Sequence, residues 1–433
     1  MRVGIRREDK NEWEERVPLI PKDVKILIDN GTEVFLQPSP IRIFTDQDYI
    51  DVGATISEDL SSCSVILAVK EIPINFIENG KTYVFFSHTI KGQDYNMPLL
   101  QKMIDQKTQL IDYERIVDEK GRRLIFFGRH AGLAGMIDSF WALGKRFEIE
   151  GVENPFSHIK KTYEYRGLDN AKNKISKIAD EIRKNGIPKE IQPLVCGFSG
   201  YGNVSQGAQE IFDILPHREI SPQELVSDKH LFDDSKHVLY KVVFKESDMV
   251  EPKNSNDKFE LQDYYNNPGK YKSKFESYLP KLTMLINCIY WDTPYPKLIT
   301  LDYLKRLWTV SKNQKLKVIG DISCDIKGAI QCNIKCTMPG NPVYTYNPLD
   351  GTVIDRVSEG GPVIMAVDNL PCELAEEASK SFSKVLVKFI PRLASANYNG
   401  TFKDLKLPNE LRRGMILYKG NLTDDYKYLK KYL

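Results

Sequence analysis

Three short apolar runs in the first third of the chain stop abruptly at ionisable residues. Val65-Ile66-Leu67-Ala68-Val69 ends at Lys70-Glu71, Tyr83-Val84-Phe85-Phe86 at Ser87-His88, and Leu110-Ile111 at Asp112-Tyr113-Glu114. A β-branched or aromatic run bounded by turn residues predicts a strand buried on both faces. Helical patterns alternate with these strands. Val17 to Pro21 leads into Lys22 to Ile28, whose apolar spacing suits a helix ending at Asn30-Gly31, and Glu33 to Leu36 is the next strand. Such alternation predicts an α/β fold with a mainly parallel sheet. Met1 to Arg7 reads as the opening strand with no leader before it, so cytosol is the expected address and mitochondria the alternative.

Further along, Gly132, Gly135 and Gly144 fall among apolar residues between Gly128 and Phe147, which suits a closely packed helix connecting two lobes. Residues 154–193 are polar and lysine-rich. A second α/β unit opens at Leu194 to Phe198, with a helix from about Ser205, and strands resume at Met284 to Ile289 and Lys317 to Gly320. Residues 222–280 are charged and aromatic-rich, with a turn at Asn266 to Gly269, and read as an insertion in the second lobe. The segment Ala375 to Leu433 has a helical pattern and is expected to pack back onto the first lobe. The predicted architecture is two Rossmann-like lobes with mainly parallel sheets and a cleft between them. The first, 1–140 completed by 372–433, is the substrate side; the second, 141–371, is the dinucleotide side.

A chain of 433 residues exceeds what one core usually supports. Its 61 basic and 59 acidic residues nearly cancel, which argues against nucleic-acid or membrane-surface partners that need a basic field. No apolar stretch approaches the roughly 20 residues of a membrane span. Seven cysteines are scattered, and only Cys324, Cys332 and Cys336 cluster. Without a nearby histidine or paired spacing they do not read as a zinc site, so no metal is expected.

The strand at 194–198 runs into Ser199-Gly200-Tyr201-Gly202-Asn203-Val204-Ser205-Gln206-Gly207-Ala208. Strand, glycine turn and helix together present backbone N–H groups to a phosphate. Gly200 and Gly202 fit the first two positions of the dinucleotide fingerprint; an ordinary tight turn is the plainer alternative. An NAD fold usually places a carboxylate roughly 20 positions past the first glycine. Glu219 is near that count, but the strand end falls closer to Ser221, with Arg218 and His217 available to pair with a 2′-phosphate. That favours NADP over NAD.

In an open parallel sheet the carboxyl ends of the strands line one rim, where ligands bind. Lys70, Glu71, His88, Asp112 and Glu114 are therefore expected to meet there. A lysine, a histidine and carboxylates at one rim can move protons. Alone, Lys70 reads as a solvated strand-end lysine; with His88 at the next strand end it reads as half of an acid–base pair. Asp112 reads as a structural turn-former. The Arg122-Arg123 pair beside Glu119-Lys120-Gly121 could be hairpin charge. His130, His158, His217, His230 and His237 read as ordinary structural histidines.

Ten segments in order resemble one family. They are Arg6 to Asp9, Glu15 to Pro21, Val69 to Pro73, Phe85 to Lys91, Ile111 to Glu114, Gly121 to Arg123, Ala131 to Gly135, Ser199 to Ala208, Asn287 to Trp291 and Val367 to Pro371. Together they resemble the lysine–2-oxoglutarate reductase module of aminoadipic semialdehyde synthase, which makes saccharopine. They are also similar to the lysine-forming saccharopine dehydrogenases and, more distantly, to alanine dehydrogenase and transhydrogenase. The resemblance implies Lys70 and His88 as catalytic residues. It implies substrate contacts at Arg16, Gln93, Arg123, Phe127, Ser323 and Asp325; by their charge, Lys91 is expected to bind substrate carboxylates as well, and Glu71 and Glu114 to attract the ammonium of lysine. It implies dinucleotide contacts at Arg122, Gly202, Asn203, Tyr290, Val367, Asp368, Asn369 and Leu370, to which the glycine-turn reading adds Gly200, Arg218 and Ser221; Ile322 is expected among the cofactor contacts as well. The fungal NAD enzymes carry an aspartate about where Ser221 falls, and the insertion at 222–280, including Tyr264 to Tyr271, looks like the NADPH-using branch. The sequence stops at Leu433, so the second catalytic module of the bifunctional family is expected to be missing, and a separate glutamate-forming saccharopine dehydrogenase is an expected partner in the pathway.

The implied reaction joins the ε-amine of L-lysine to the ketone of 2-oxoglutarate, loses water, and reduces the imine to saccharopine with NADPH. A lysine, with reference pKa about 10.4, becomes a useful base only when desolvated or crowded by cations. Arg16, Arg123 and Lys91 are expected to supply that crowding, and Glu71 and Glu114 to restrain it. The alternatives are the same chemistry with NAD in the lysine-forming direction, a catalytically silent lysine or dinucleotide sensor, and amination of a 2-oxo acid by ammonia.

Overall fold

The computed structural model describes residues 1–227 and 236–433, so His230 and part of the segment read as an insertion lie outside the described residues. The chain divides into two compact units, 1–127 with 375–433, and 128–374. The expected divisions at 140/141 and 371/372 move, because Gly128–Ile149 is one unbroken helix that belongs wholly to the second unit.

In the first unit six parallel strands form the sheet: β1 (Arg2–Ile5), β2 (Glu33–Leu36), β3 (Thr55–Ile56), β4 (Val65–Leu67), β5 (Thr82–Phe85) and β6 (Gln109–Asp112). The order across the sheet is β6-β5-β4-β1-β2-β3. The chain therefore builds outward from β1 in one direction and from β4 in the other, which places a topological switch point between β1 and β4. β4, β5 and β6 are buried throughout, as their unbroken apolar runs require. The far end of the chain adds an antiparallel hairpin, Met415–Tyr418 against β6 and Asn421–Leu422. The helical pattern expected for 375–433 misses it: Met-Ile-Leu-Tyr is a buried edge run too short to show a period.

The second unit holds β7 (Val195–Ser199), β8 (His217–Glu219), β9 (Leu239–Phe244), β10 (Val250–Pro252), β11 (Tyr271–Ser273), β12 (Met284–Asn287), β13 (Val318–Asp321), β14 (Val343–Tyr346), β15 (Val353–Ile354) and β16 (Val363–Met365). Its main sheet has the order β15-β14-β16-β13-β12-β7-β9-β8. The six strands from β16 to β8 are parallel to their neighbours, and β14 and β15 are antiparallel. Its switch point lies at β7, between β9 and β12.

β9 departs from expectation. Leu239 to Phe244 lies inside the segment read as an insertion, yet it pairs directly with β7. The strand at 217–219 is pushed to the sheet edge. What remains of the insertion, the β10–β11 ribbon and the helix Leu261–Asn266, stays within the second unit and shares its core through Tyr264, Tyr271 and Phe275.

Glycine explains the tightest packing. A Cβ on Gly132 would stand 1.9 Å from the carbonyl oxygen of Val204, and one on Gly207 would stand 2.1 Å from that of Arg129. The helices Gly128–Ile149 and Asn203–Phe212 thus touch backbone to backbone, which only glycine permits. Among the described residues no helix is long and apolar enough to cross a membrane.

Candidate active site

The switch point of the first sheet gathers the ionisable residues. Past β1 the chain reaches Glu8, whose buried carboxylate accepts hydrogen bonds from the backbone N–H of Val69 (2.6 Å) and of Lys70 (2.9 Å). Glu8 thus holds the strand end that carries Lys70. Burial, and then the charge of Glu14, lift its pKa to about 7 against the pull of those two N–H groups.

Lys70 is partly buried, and its pKa is lowered by that burial and then by the positive charges of Arg16 and Lys10. Glu14 and Glu71 oppose the shift. Arg16 crowds it as expected, while the second cation is Lys10 and the restraining carboxylate beside Glu71 is Glu14. Glu71 links Lys10, at 3.1 Å, to His88, whose Nδ1 lies 2.6 Å from its carboxylate. Burial alone would raise the Glu71 pKa, but the hydrogen bond and charge of His88, with Lys10, hold it down to about 2.

His88 sits in the left-handed region at φ 52°, a conformation that a residue other than glycine adopts only under constraint. The constraint comes from both sides of the turn. Asn96 donates to the His88 carbonyl at 3.0 Å, and buried Asp112 accepts from the Ser87 N–H (3.0 Å), the Ser87 hydroxyl and the Glu114 N–H (2.8 Å). Asp112 is the turn anchor that its position at the end of β6 suggests.

Arg16 differs from expectation. Its guanidinium makes two 2.6 Å bonds to Glu14, both side chains fully buried, and lies over the Phe127 ring at 4.4 Å. Phe127 in turn stacks on Phe382. The fork expected to take a substrate carboxylate is therefore held by Glu14, and its clearest effect is to press charge onto Lys70. Arg123 pairs with Glu114 at 3.1 Å, and Arg122 pairs with Asp118 at 2.7 Å on its own exposed hairpin. Lys91 and Gln93 are exposed, and Gln93 accepts from the Tyr95 hydroxyl.

At the rim of the second sheet, the glycine turn runs into the helix Asn203–Phe212. Gly200 has φ 88°, and a Cβ on Gly202 would meet nothing within 4 Å. That open backbone at a ten-residue helix start fits a pyrophosphate. Beside it the last residues of β7, β12 and β13, namely Ser199, Asn287 and Asp321, stand level. The Ser199 hydroxyl donates to Asn287 at 2.7 Å, and Asn287 donates to Asp321 at 2.8 Å. Asn333 donates to the other Asp321 oxygen at 2.8 Å, and burial raises the Asp321 pKa to about 6. Past these ends, Ile322 is buried, Ser323 donates to the Ile289 carbonyl at 2.5 Å, and Tyr290 is 78 % exposed. Asp325 closes a tight turn to Gly328. Val367 and Leu370 are buried, Asp368 is exposed and Asn369 lies between.

Two expected cofactor contacts lie elsewhere. Arg218 is on the edge strand β8, opposite Tyr240 of β9, and Ser221 is tied to Glu224 through both its N–H and its hydroxyl. His217 is engaged by the Leu215 carbonyl and Asp213. The count of positions landed on the edge strand because β9 follows it in the chain and takes the inner place. Glu8, Glu14, Asn287 and Asp321 were not singled out from sequence, although Glu8, Asn287 and Asp321 are polar residues at or just beyond the end of an apolar run, while Glu14 lies in a polar loop. Of the three clustered cysteines, Cys332 is buried, while Cys324 and Cys336 bring their sulfurs within 3.6 Å near Asp368.

Two family models match the chain. Residues 4–134 match the alanine dehydrogenase/PNT N-terminal domain, and residues 269–425 match the C-terminal domain of the same family. The chain belongs to the alanine dehydrogenase/PNT family. Over 99 % of its length it is 39 % identical to alpha-aminoadipic semialdehyde synthase of Arabidopsis thaliana and 34 % identical to the mitochondrial alpha-aminoadipic semialdehyde synthase of Mus musculus. It spans 41 % and 47 % of those proteins, less than half of each. It is 28 % identical to the NAD(+), L-lysine-forming saccharopine dehydrogenase of Yarrowia lipolytica, covering 91 % of this chain and 92 % of that one. An L-alanine dehydrogenase structure aligns over 100 % of this chain and 99 % of its own, with a TM-score of 0.62 at 16 % identity. A transhydrogenase from Sinorhizobium meliloti aligns over 97 % and 98 % with a TM-score of 0.53 at 13 % identity. At such identities the likeness concerns the fold alone.

Proposed function

We propose that the chain is a lysine–2-oxoglutarate reductase that condenses L-lysine with 2-oxoglutarate and reduces the product to saccharopine, using NADPH. The observation that carries the reading is the cluster at the first switch point, where Glu8 holds Lys70 and Glu71 joins His88. Similarity over 99 % of this chain to aminoadipic semialdehyde synthases, of which it spans less than half, supports the substrate class.

The amine of lysine must lose a proton to attack the ketone, and the carbinolamine oxygen must gain one to leave as water. Lys70, made less basic by burial and by Arg16, takes and returns the proton at the reacting nitrogen. His88, oriented by Glu71, serves the oxygen. Gly200, Gly202 and Asn203 would hold the pyrophosphate of the cofactor. When bound, the reduced nicotinamide supplies the hydride for the imine carbon. Glu71, Lys91, Gln93, Glu114, Arg123, Phe127, Ser323 and Asp325 are proposed to orient the substrates. Arg122, Tyr290, Ile322, Val367, Asp368, Asn369 and Leu370 are proposed to contact the cofactor. Arg16 sets the charge at Lys70 and is not proposed as a primary carboxylate clamp.

A matrix of amine donors against NADPH and NADH, with 2-oxoglutarate fixed, tests this. Oxidation of NADPH that requires lysine is expected. Turnover with ammonia in place of lysine would give the chemistry of an amino-acid dehydrogenase instead, and no oxidation with any donor would overturn the reductase reading and support that of a catalytically silent sensor. The second reading, an NAD-linked lysine-forming enzyme, is favoured by the name of the Yarrowia relative; a roughly hundredfold preference for NADH, about 2.7 kcal/mol, would establish it. The cytosolic address is set against the mitochondrial one named for the mouse protein, and cell fractionation separates them.

A further inference from the structure

The displacement of β8 by β9 changes which residue faces the sugar of a bound dinucleotide. β7 and β9 run parallel in register, Ser199 opposite Phe244, and the Gly200 N–H donates to the Phe244 carbonyl at 3.0 Å. The next residue of β9, Lys245, therefore stands level with the first glycine of the turn. In a dinucleotide-binding sheet, the strand beside the glycine strand presents the residue that reads the ribose 2′ position. A carboxylate there accepts the hydroxyl of NAD, and a cation there suits a 2′-phosphate.

Lys245 is exposed, and among the described residues no acidic side chain forms an ion pair with its ammonium. Its N–H donates to Asp248 at 3.0 Å, which fixes the backbone of the turn. The neighbouring carboxylate, Glu246, is engaged from two sides. The Tyr201 hydroxyl of the glycine turn donates to it at 3.2 Å, and the Tyr265 hydroxyl of the inserted helix at 2.6 Å. The insertion thus tethers the acid that would repel a phosphate beside the turn, while the lysine is left to meet one.

We propose that Lys245 is the residue that selects NADPH, by pairing with the 2′-phosphate of its adenosine ribose, and that Tyr265 assists by holding Glu246. This rests on the NADPH reading above and replaces Arg218 and Ser221 in that role. The test compares the full chain with Lys245→Ala, Lys245→Glu and Lys245→Arg. Binding of adenosine 2′,5′-bisphosphate and of adenosine 5′-monophosphate is measured by calorimetric titration, and apparent Michaelis constants are measured for NADPH and NADH. Lys245→Ala is expected to weaken the bisphosphate and raise the NADPH constant about tenfold, leaving the monophosphate and NADH unmoved. Lys245→Glu should weaken them about a hundredfold, and Lys245→Arg should restore most of the loss. If the unaltered enzyme prefers NADH, the cofactor reading fails and this inference with it. If it prefers NADPH and the Lys245 variants keep that preference, or lose both cofactors equally, Lys245 alone is refuted.

Discussion

Around the switch point of the first sheet stand Glu8, Glu14, Arg16, Lys70, Glu71 and His88, in contact through ion pairs, hydrogen bonds or charge. The corresponding rim of the second sheet offers an open glycine turn and a chain of neutral donors, Ser199, Asn287 and Asn333, converging on one buried carboxylate, Asp321. Both rims are built by parallel strands that diverge from one central position. Topology decides where a site forms, and the residues one step past the strand ends decide what it does. One rim is suited to moving protons, the other to holding a ligand by backbone and fixed dipoles.

The contrast breaks most directly at Lys70. Lys70→Met should lower turnover at least a hundredfold while changing apparent substrate constants little, because a proton-transfer group acts in the transition state. Steady-state kinetics with an unchanged circular-dichroism melt would establish it; normal turnover would remove Lys70 from the chemistry.

Arg16→Ala separates charge from binding. It removes both hydrogen bonds that Arg16 gives to Glu14, which is 1 % exposed, and breaking one side of a buried pair costs about 3–5 kcal/mol. The expected outcome is a lower urea midpoint together with a raised Lys70 pKa, seen as a shift of the pH–rate profile to higher pH. A stable variant with only a raised substrate constant would return Arg16 to the role of carboxylate clamp.

Much of this rim was legible in the sequence. Lys70, Glu71, His88 and Asp112 follow apolar runs, and the rule that such ends share one edge brings them together. Glu14 as the partner of Arg16 was not legible, because a two-residue separation in a loop has no preferred geometry. The left-handed turn at His88 was hidden as well, since it is imposed by Asn96 and Asp112 from other parts of the chain. β9 was overlooked because a charged, aromatic neighbourhood masked six strand residues, so the strand that pairs with β7 was not placed beside the glycine turn.

Glu71 sharpens the comparison through pH. Its folded pKa, about 2, lies below the ordinary value of 4.5. Its stabilisation is therefore complete above about pH 4.5 and is lost as pH falls towards 2, amounting to roughly 3 kcal/mol. Glu71→Gln should lie below the parent in urea stability at pH 6 by up to that amount, with the gap narrowing as the solution is acidified. A gap that does not change with pH would show that the contacts of Glu71 with His88 and Lys10 do not favour its charged form.

The second unit should respond in the opposite manner, through packing and without a pH signature. A methyl on Gly132 meets a backbone carbonyl at 1.9 Å, and that carbonyl belongs to the helix that opens at the glycine turn. The two helices must separate to admit it, at a cost of about 1–3 kcal/mol. Because no charge is altered, the loss for Gly132→Ala should be the same at pH 5 and pH 8. Movement of the helix start should also weaken binding of adenosine 5′-monophosphate, whose phosphate is proposed to rest on backbone N–H groups there, while the pH–rate profile of turnover keeps its shape. A profile that moved with this substitution would mean that the ionisable rim is not set by its own unit, and the division of labour between the two sheets would have to be abandoned.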